Sequence, residues 1–180
     1  MARDQLDQSR EDADRELPRQ AALVSAWTQP GDNDQNTGFV ANRSLDPIQQ
    51  VAVSVVAADN EVFDKPARKN KGIMPLLYLG ALPPCSQVTI PSTAMQHAAP
   101  QDGSGRLITE NVELGGIYFI DVYGQRWGRL SSGPLEPVKT ASDGKAGLGD
   151  KHAGVDMSLP GSHFSDLAAP KSLKDCGAEK

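Results

Sequence analysis

A chain of 180 residues and 19.2 kDa has room for one ordinary domain with flanking segments, since compact domains commonly run ~100–150 residues. The hydrophobic share of 38% and mean hydropathy of −0.42 imply that part of this length buries little apolar surface. A net charge of −5 and a pI near 5.1 argue against the basic face of a general nucleic-acid binder, and no stretch approaches the ~20 apolar residues of a membrane span.

The charge is concentrated at one end. Residues 1–36 hold four arginines against eight carboxylates, a net −4. The opening MARDQLDQSREDADRE has no apolar core of a secretory signal, so a chain not exported by the general route, and cytoplasmic, is expected. Cys85 and Cys176 lie far apart and the second falls in a polar tail. No disulfide framework is indicated, and a reducing compartment is the simpler expectation.

From Arg3 to Trp27 the composition suits a helix, with Leu6, Ala13, Leu17, Val24 and Trp27 near helical spacing. Pro18 predicts a break near Leu17, with RQAALVSAW as the better-packed second part. TQPGDNDQNTG reads as a turn-rich linker. FVANRS, QVAVSVVAA, LLYLGALPP, SQVTIP, LITENVEL, IYFIDVY and RWGRL read as strands, because β-branched and aromatic residues alternate in them and turn residues bound them. NEVFDKPARKNKG is a loop, and STAMQHAAPQDGSGR is a long polar connection. After Leu135 the text is dominated by Gly, Ala, Ser, Pro, Asp and Lys. Such a composition cannot offset the ~1–2 kcal/mol per residue of backbone ordering, which predicts a disordered tail.

YFIDVYGQRWGRL has the pattern of a hairpin. Gly124 supplies the reversal, and alternation places Ile117, Phe119 and Asp121 on one face and Tyr118, Ile120 and Val122 on the other. Trp127 and Arg129 then share a face of the return strand, opposite Arg126, Gly128 and Leu130. The plain reading of Trp127 is cross-strand packing; the functional reading is an exposed aromatic that recognises a ligand with Arg126 and Arg129. Asp121 is placed to accept backbone amides of the turn or to pair with one of those arginines. In ALPPCSQVTI two prolines make a rigid turn, and Cys85 stands where glycine would be accepted easily. Lys65, Arg68, Lys69 and Lys71 form a basic loop in an acidic protein, an ordinary solvated tip or a contact for an acidic partner.

Enzymatic motifs are thin. His97, His152 and His163 are isolated, with no i, i+4 pair for zinc. GSGRL lacks the GK[ST] ending of a phosphate loop. Glu110 and Glu113, three apart on a strand, face opposite ways and cannot act as an acid/base pair. No catalytic, metal or cofactor-binding residues are assigned.

VANRSLDPIQQVAVSVV, LGALPPC and YFIDVYGQRWGRL, in that order, resemble a small actinobacterial Ig-like module of uncharacterised proteins. Asn42, Ser44, Pro47, Ile48 and Val51 match its asparagine–serine–proline strand pair. Leu82, Pro83 and Pro84 match its leucine–proline–proline–glycine turn, with Cys85 in place of the glycine, and Phe119, Asp121, Gly124 and Trp127 match its closing hairpin. QAALVSAW resembles the helix that often precedes such modules. The resemblance spans about residues 20–137 and implies no catalytic residues.

The sequence thus predicts an all-β protein: a helical segment and linker over 1–36, an Ig-like antiparallel β-sandwich over 37–138, and a disordered tail over 139–180. The expected function is a non-catalytic protein-interaction module, with Lys65, Arg68, Lys69, Lys71, Arg126 and Arg129 as candidate contacts for an unidentified protein partner. The alternative is a structural or assembly protein that self-associates through the helix and the sandwich. Neither nucleic acid nor a membrane span is expected.

Overall fold

The computed structural model describes residues 18, 20–31, 35–57, 76–99, 111–131, 133–140, 146–147, 162–163 and 167–177. Two sheets, mostly antiparallel, are built from β1 (Val24–Pro30), β2 (Asn36–Asn42), β3 (Ile48–Ala57), β4 (Leu76–Leu82), β5 (Ser86–Ile90), β6 (Val112–Ile120), β7 (Arg126–Leu130), β8 (Leu135–Pro137), β11 (Ser162–His163) and β12 (Lys171–Ser172). One sheet has the order β1-β2-β5-β12 and the other β11-β4-β3-β6-β7-β8; β9 (Lys139–Thr140) and β10 (Ala146–Gly147) form a separate pair.

The period of two explains the core. Val40, Val88 and Ile90 project from the four-stranded sheet, and Val51, Val53, Val55, Leu77, Ile117, Phe119 and Trp127 from the six-stranded one, into one buried cluster. On β6 Tyr118 faces the other way from Ile117 and Phe119, and with Leu76 it forms a second cluster with Tyr78, Leu130 and Val138. Val112 and Leu114, of Tyr118's parity, also enter the first cluster, because the pairing of β3 with β6 shifts register between Ser54 and Val55. At one corner the sheets are tied by polar bonds: Leu114 N donates to Thr28 Oγ1 at 2.9 Å, and Asn36 Nδ2 donates to Asn111 Oδ1 and Val112 O, each at 2.9 Å.

Several expectations change. Most of the predicted helix, residues 3–17, lies outside the described residues; its end gives way to β1, since helical residues stop at Ala22 and Val24–Pro30 pairs with β2 in an unbroken register from Val24↔Asn42 to Pro30↔Asn36. Arg10 and Gln20 interrupt the helical stripe, and cross-strand pairing, with Trp27 stacked on Phe39 at 5.4 Å between centroids, outweighs it. The linker shrinks accordingly to the turn between β1 and β2, closed by Gly31 N donating to Gln35 O. The four-stranded sheet therefore starts well before residue 37.

The end of LITENVEL and the start of IYFIDVY belong to one strand rather than two, residues 107–110 lying outside the described residues. β6 runs unbroken from Val112 to Ile120 through Gly115 and Gly116, and a Cβ on Gly116 would lie 2.7 Å from the Arg129 carbonyl oxygen. The polar connection after Pro91 contains a helix, α1 (Ser92–Ala98), whose Ala94, Met95 and Ala98 enter the core. Its small and apolar residues recur at helical spacing, a pattern hidden among polar neighbours.

The tail is corrected where it is described. Leu167 packs against the core, β12 pairs with β5 through Lys171↔Gln87 and Ser172↔Ser86, and Cys176 is disulfide-bonded to Cys85 with their Cα atoms 5.4 Å apart. The absence of an indicated disulfide is thereby overturned: spacing along the chain says nothing about two cysteines brought together by a sheet edge. Among the described residues no helix is long and apolar enough to cross a membrane.

Candidate interaction surface

Strand direction gathers three connections at one end of the molecule. Ile48, the first residue of β3, pairs with Leu82 at the end of β4, and Gln49 pairs with Ile120 at the end of β6. The β2–β3 loop (residues 43–47), the β4–β5 turn (residues 83–85) and the β6–β7 loop (residues 121–125) therefore share this end.

Each connection is braced from below. Asn42, fully buried, donates through Nδ2 to Asp46 O at 2.9 Å, Pro83 O at 3.0 Å and, more weakly, Leu82 O at 3.4 Å. Its Oδ1 accepts from Ser44 N at 3.1 Å and lies 2.6 Å from Ser44 Oγ. One buried amide thus holds the β2–β3 loop against the proline turn, and Cys85 N adds a bond to Ser44 O at 3.1 Å. Ser86 Oγ donates to Pro83 O at 2.6 Å and closes the turn from its other side.

The third loop is organised by Asp121, which is buried. Its Oδ1 accepts from Tyr123 N at 2.9 Å and Gln125 N at 2.8 Å, and its Oδ2 accepts from Trp127 Nε1 at 2.8 Å. Gly124 takes φ of 81°, the left-handed conformation that the reversal requires. Of the two roles the sequence allowed Asp121, this is the acceptor of turn amides.

On this frame sit Leu45, Val122 and Tyr123, the exposed large hydrophobic side chains of the described residues, at 72%, 41% and 66% exposure. All three are on loops of the same end. The sequence reading missed them: their signal was apolar or aromatic residues inside turn motifs, and it shows only once strand pairing puts the loops together.

Trp127 is 6% exposed and pairs across the hairpin with Phe119, so it is a wall of the core. Arg126 is exposed at the base of the β6–β7 loop, while Arg129 is half-buried beside Ala26, Leu114 and Ile117, far down the return strand. The two arginines lie on opposite faces of β7 and do not form one site. Lys65, Arg68, Lys69 and Lys71 lie outside the described residues, as do Glu110, His152 and GSGRL. His97 is exposed on α1, and the described residues contain no His, Cys, Asp or Glu group that could hold a metal ion.

A second surface feature is the outer face of the four-stranded sheet. Trp27 and Phe39 stack there at an interplanar angle of 17°, and the Arg43 guanidinium carbon lies 5.8 Å from the Trp27 ring centroid.

No family model, curated protein or solved structure matches this chain.

Proposed function

We propose that this chain is a non-catalytic protein-interaction module that binds its partner through the loop end described above. The observation that carries the reading is the placement of Leu45, Val122 and Tyr123 on two of the three connections at one end, the two loops being held by hydrogen bonds of the buried Asn42 and Asp121 side chains. Exposed apolar and aromatic side chains on a rigid frame gain contact area at little ordering cost, the property that makes tyrosine common at binding hot spots. The strand order β1-β2-β5 facing β4-β3-β6-β7 supports the finer Ig-like reading, in which loops cluster at the two ends of the sandwich. Asn42, Ser44, Pro83 and Asp121, among the residues that carry the resemblance to the actinobacterial module, are bracing residues of this end. The Cys85–Cys176 bond favours an oxidising compartment over the cytoplasmic location expected from the sequence.

The test is quantitative affinity capture with the full chain and with a Leu45→Ser, Val122→Ser, Tyr123→Ser variant whose thermal unfolding matches the parent. A protein retained by the parent and lost by the variant supports the reading. Equal recovery by both, or recovery by neither, sinks it.

Self-association is the second reading, favoured by the half-buried Trp27–Phe39 stack on the outer face rather than by an N-terminal helix through Trp27. Light scattering on the full chain and on Trp27→Ser separates it: a monomer in both removes it.

A further inference from the structure

Cys85 has φ of 55°, a backbone region in which Cβ crowding makes glycine the ordinary occupant. A cysteine kept in that conformation has one evident use, its bond to Cys176. Among the described residues, the segment this bond retains is held lightly otherwise. Residues 168–172, 174, 175 and 177 are exposed, Leu173 and Cys176 are half-buried, and Leu167 is its contact with the core. Among the described residues its backbone holds are the two-residue pairing of β12 with β5, Leu173 N donating to Cys85 O at 2.7 Å, and Gly177 N donating to Arg43 O at 3.0 Å. Both cysteines are half-buried at the sheet edge, within reach of a small reductant. The core strands are organised quite differently: β3 and β6 pair along their length and carry Val51, Val53, Val55, Ile117 and Phe119.

We propose that the Cys85–Cys176 disulfide is a redox latch that holds residues 167–177 on the edge of the four-stranded sheet, and that a dithiol opens it while the two-sheet body stays folded. The first thiolate of the dithiol attacks one cysteine sulfur, the S–S bond breaks, and the departing sulfur leaves as a thiolate that takes up a proton. The second thiol then displaces the remaining cysteine in the same way. Two electrons and two protons pass to Cys85 and Cys176, and the dithiol becomes a disulfide. Opening uncovers the β5 edge at Ser86 and Gln87 and removes Gly177 from Leu45, whose side-chain carbons lie against it. The redox state therefore alters the frame of the β2–β3 loop, and the latch does not depend on that loop binding a partner.

Hydrogen-exchange mass spectrometry on the full chain tests this, comparing the oxidised protein, the protein reduced with dithiothreitol under native conditions, and Cys176→Ser. The expected result is at least about tenfold faster exchange over 167–177 and at Ser86 and Gln87 in both opened forms, with β3 and β6 unchanged. Three results overturn it: the same protection of 167–177 with and without the bond, loss of protection in β3 and β6 together with the tail, or a disulfide that dithiothreitol reduces only after the fold is denatured.

Discussion

Trp127 Nε1 donates a 2.8 Å hydrogen bond to Oδ2 of Asp121, the carboxylate that also ties the loop between their two strands. The indole ring fills the core while its one polar atom is satisfied by the residue that shapes the exposed loop. Core packing and loop conformation are thereby coupled through a single side chain.

Removing that carboxylate is expected to leave three donors without their acceptor. Asp121→Ala should destabilise the protein by about 2–4 kcal/mol, and Trp127→Phe, which keeps most of the ring but not the donor, by about 1–3 kcal/mol. Urea unfolding of both singles and the double variant checks the coupling: strictly additive losses would mean that the bond between them contributes nothing.

Two glycines separate backbone conformation from space. Gly124 has positive φ but open surroundings, so Gly124→Ala should cost about 1 kcal/mol. Gly116 is closely approached by the Arg129 carbonyl, so Gly116→Ala must push β6 from β7 and should cost more than Gly124→Ala, on the order of 2–4 kcal/mol. Thermal unfolding of the pair decides, and the reverse order refutes the argument.

The disulfide closes a loop with a sequence separation of 91, for which the chain-entropy relation gives about 4–5 kcal/mol. In a Cys176→Ser background, Cys85→Gly should be more stable than Cys85→Ala by about 1 kcal/mol, since glycine accepts the positive φ without a Cβ. Equal stability in denaturant titrations would show that the conformation carries no strain.

Tyr118 is buried on the outward face of β6, and its hydroxyl has no hydrogen-bond partner among the described residues. Desolvation by burial pushes its pKa up to about 12 from the ordinary 10.0. Between those values the unfolded chain ionises this group and the folded chain does not, so stability is present below pH 10 and falls as pH rises toward 12. Tyr118→Phe should flatten that part of the fall, and should raise stability near neutral pH by about 1 kcal/mol by removing an unsatisfied hydroxyl. Unfolding free energies of the two proteins from pH 8 to pH 12 provide the check.

Much of the β structure was legible in the linear text. Alternation placed Ile117 and Phe119 on one face and Tyr118 on the other, and the hairpin turning at Gly124 with Trp127 packed inward follows from strand period and turn chemistry alone. These features depend on neighbours a few residues apart. What the tertiary structure alone decided depends on residues far apart. Val24–Pro30 became a strand because β2 offers it a partner, and Ser92–Ala98 became a helix because the core takes up Ala94, Met95 and Ala98. Cys85 and Cys176 became a bond because the edge of β5 brings them together. The candidate surface belongs to this second class. Leu45, Val122 and Tyr123 are unremarkable turn residues in sequence, and they share one end only because Ile48 pairs with Leu82 and Gln49 with Ile120. Local period and turn preference are written within a few residues; which strands become neighbours is set by the free energy of closing one core, a property of the whole chain.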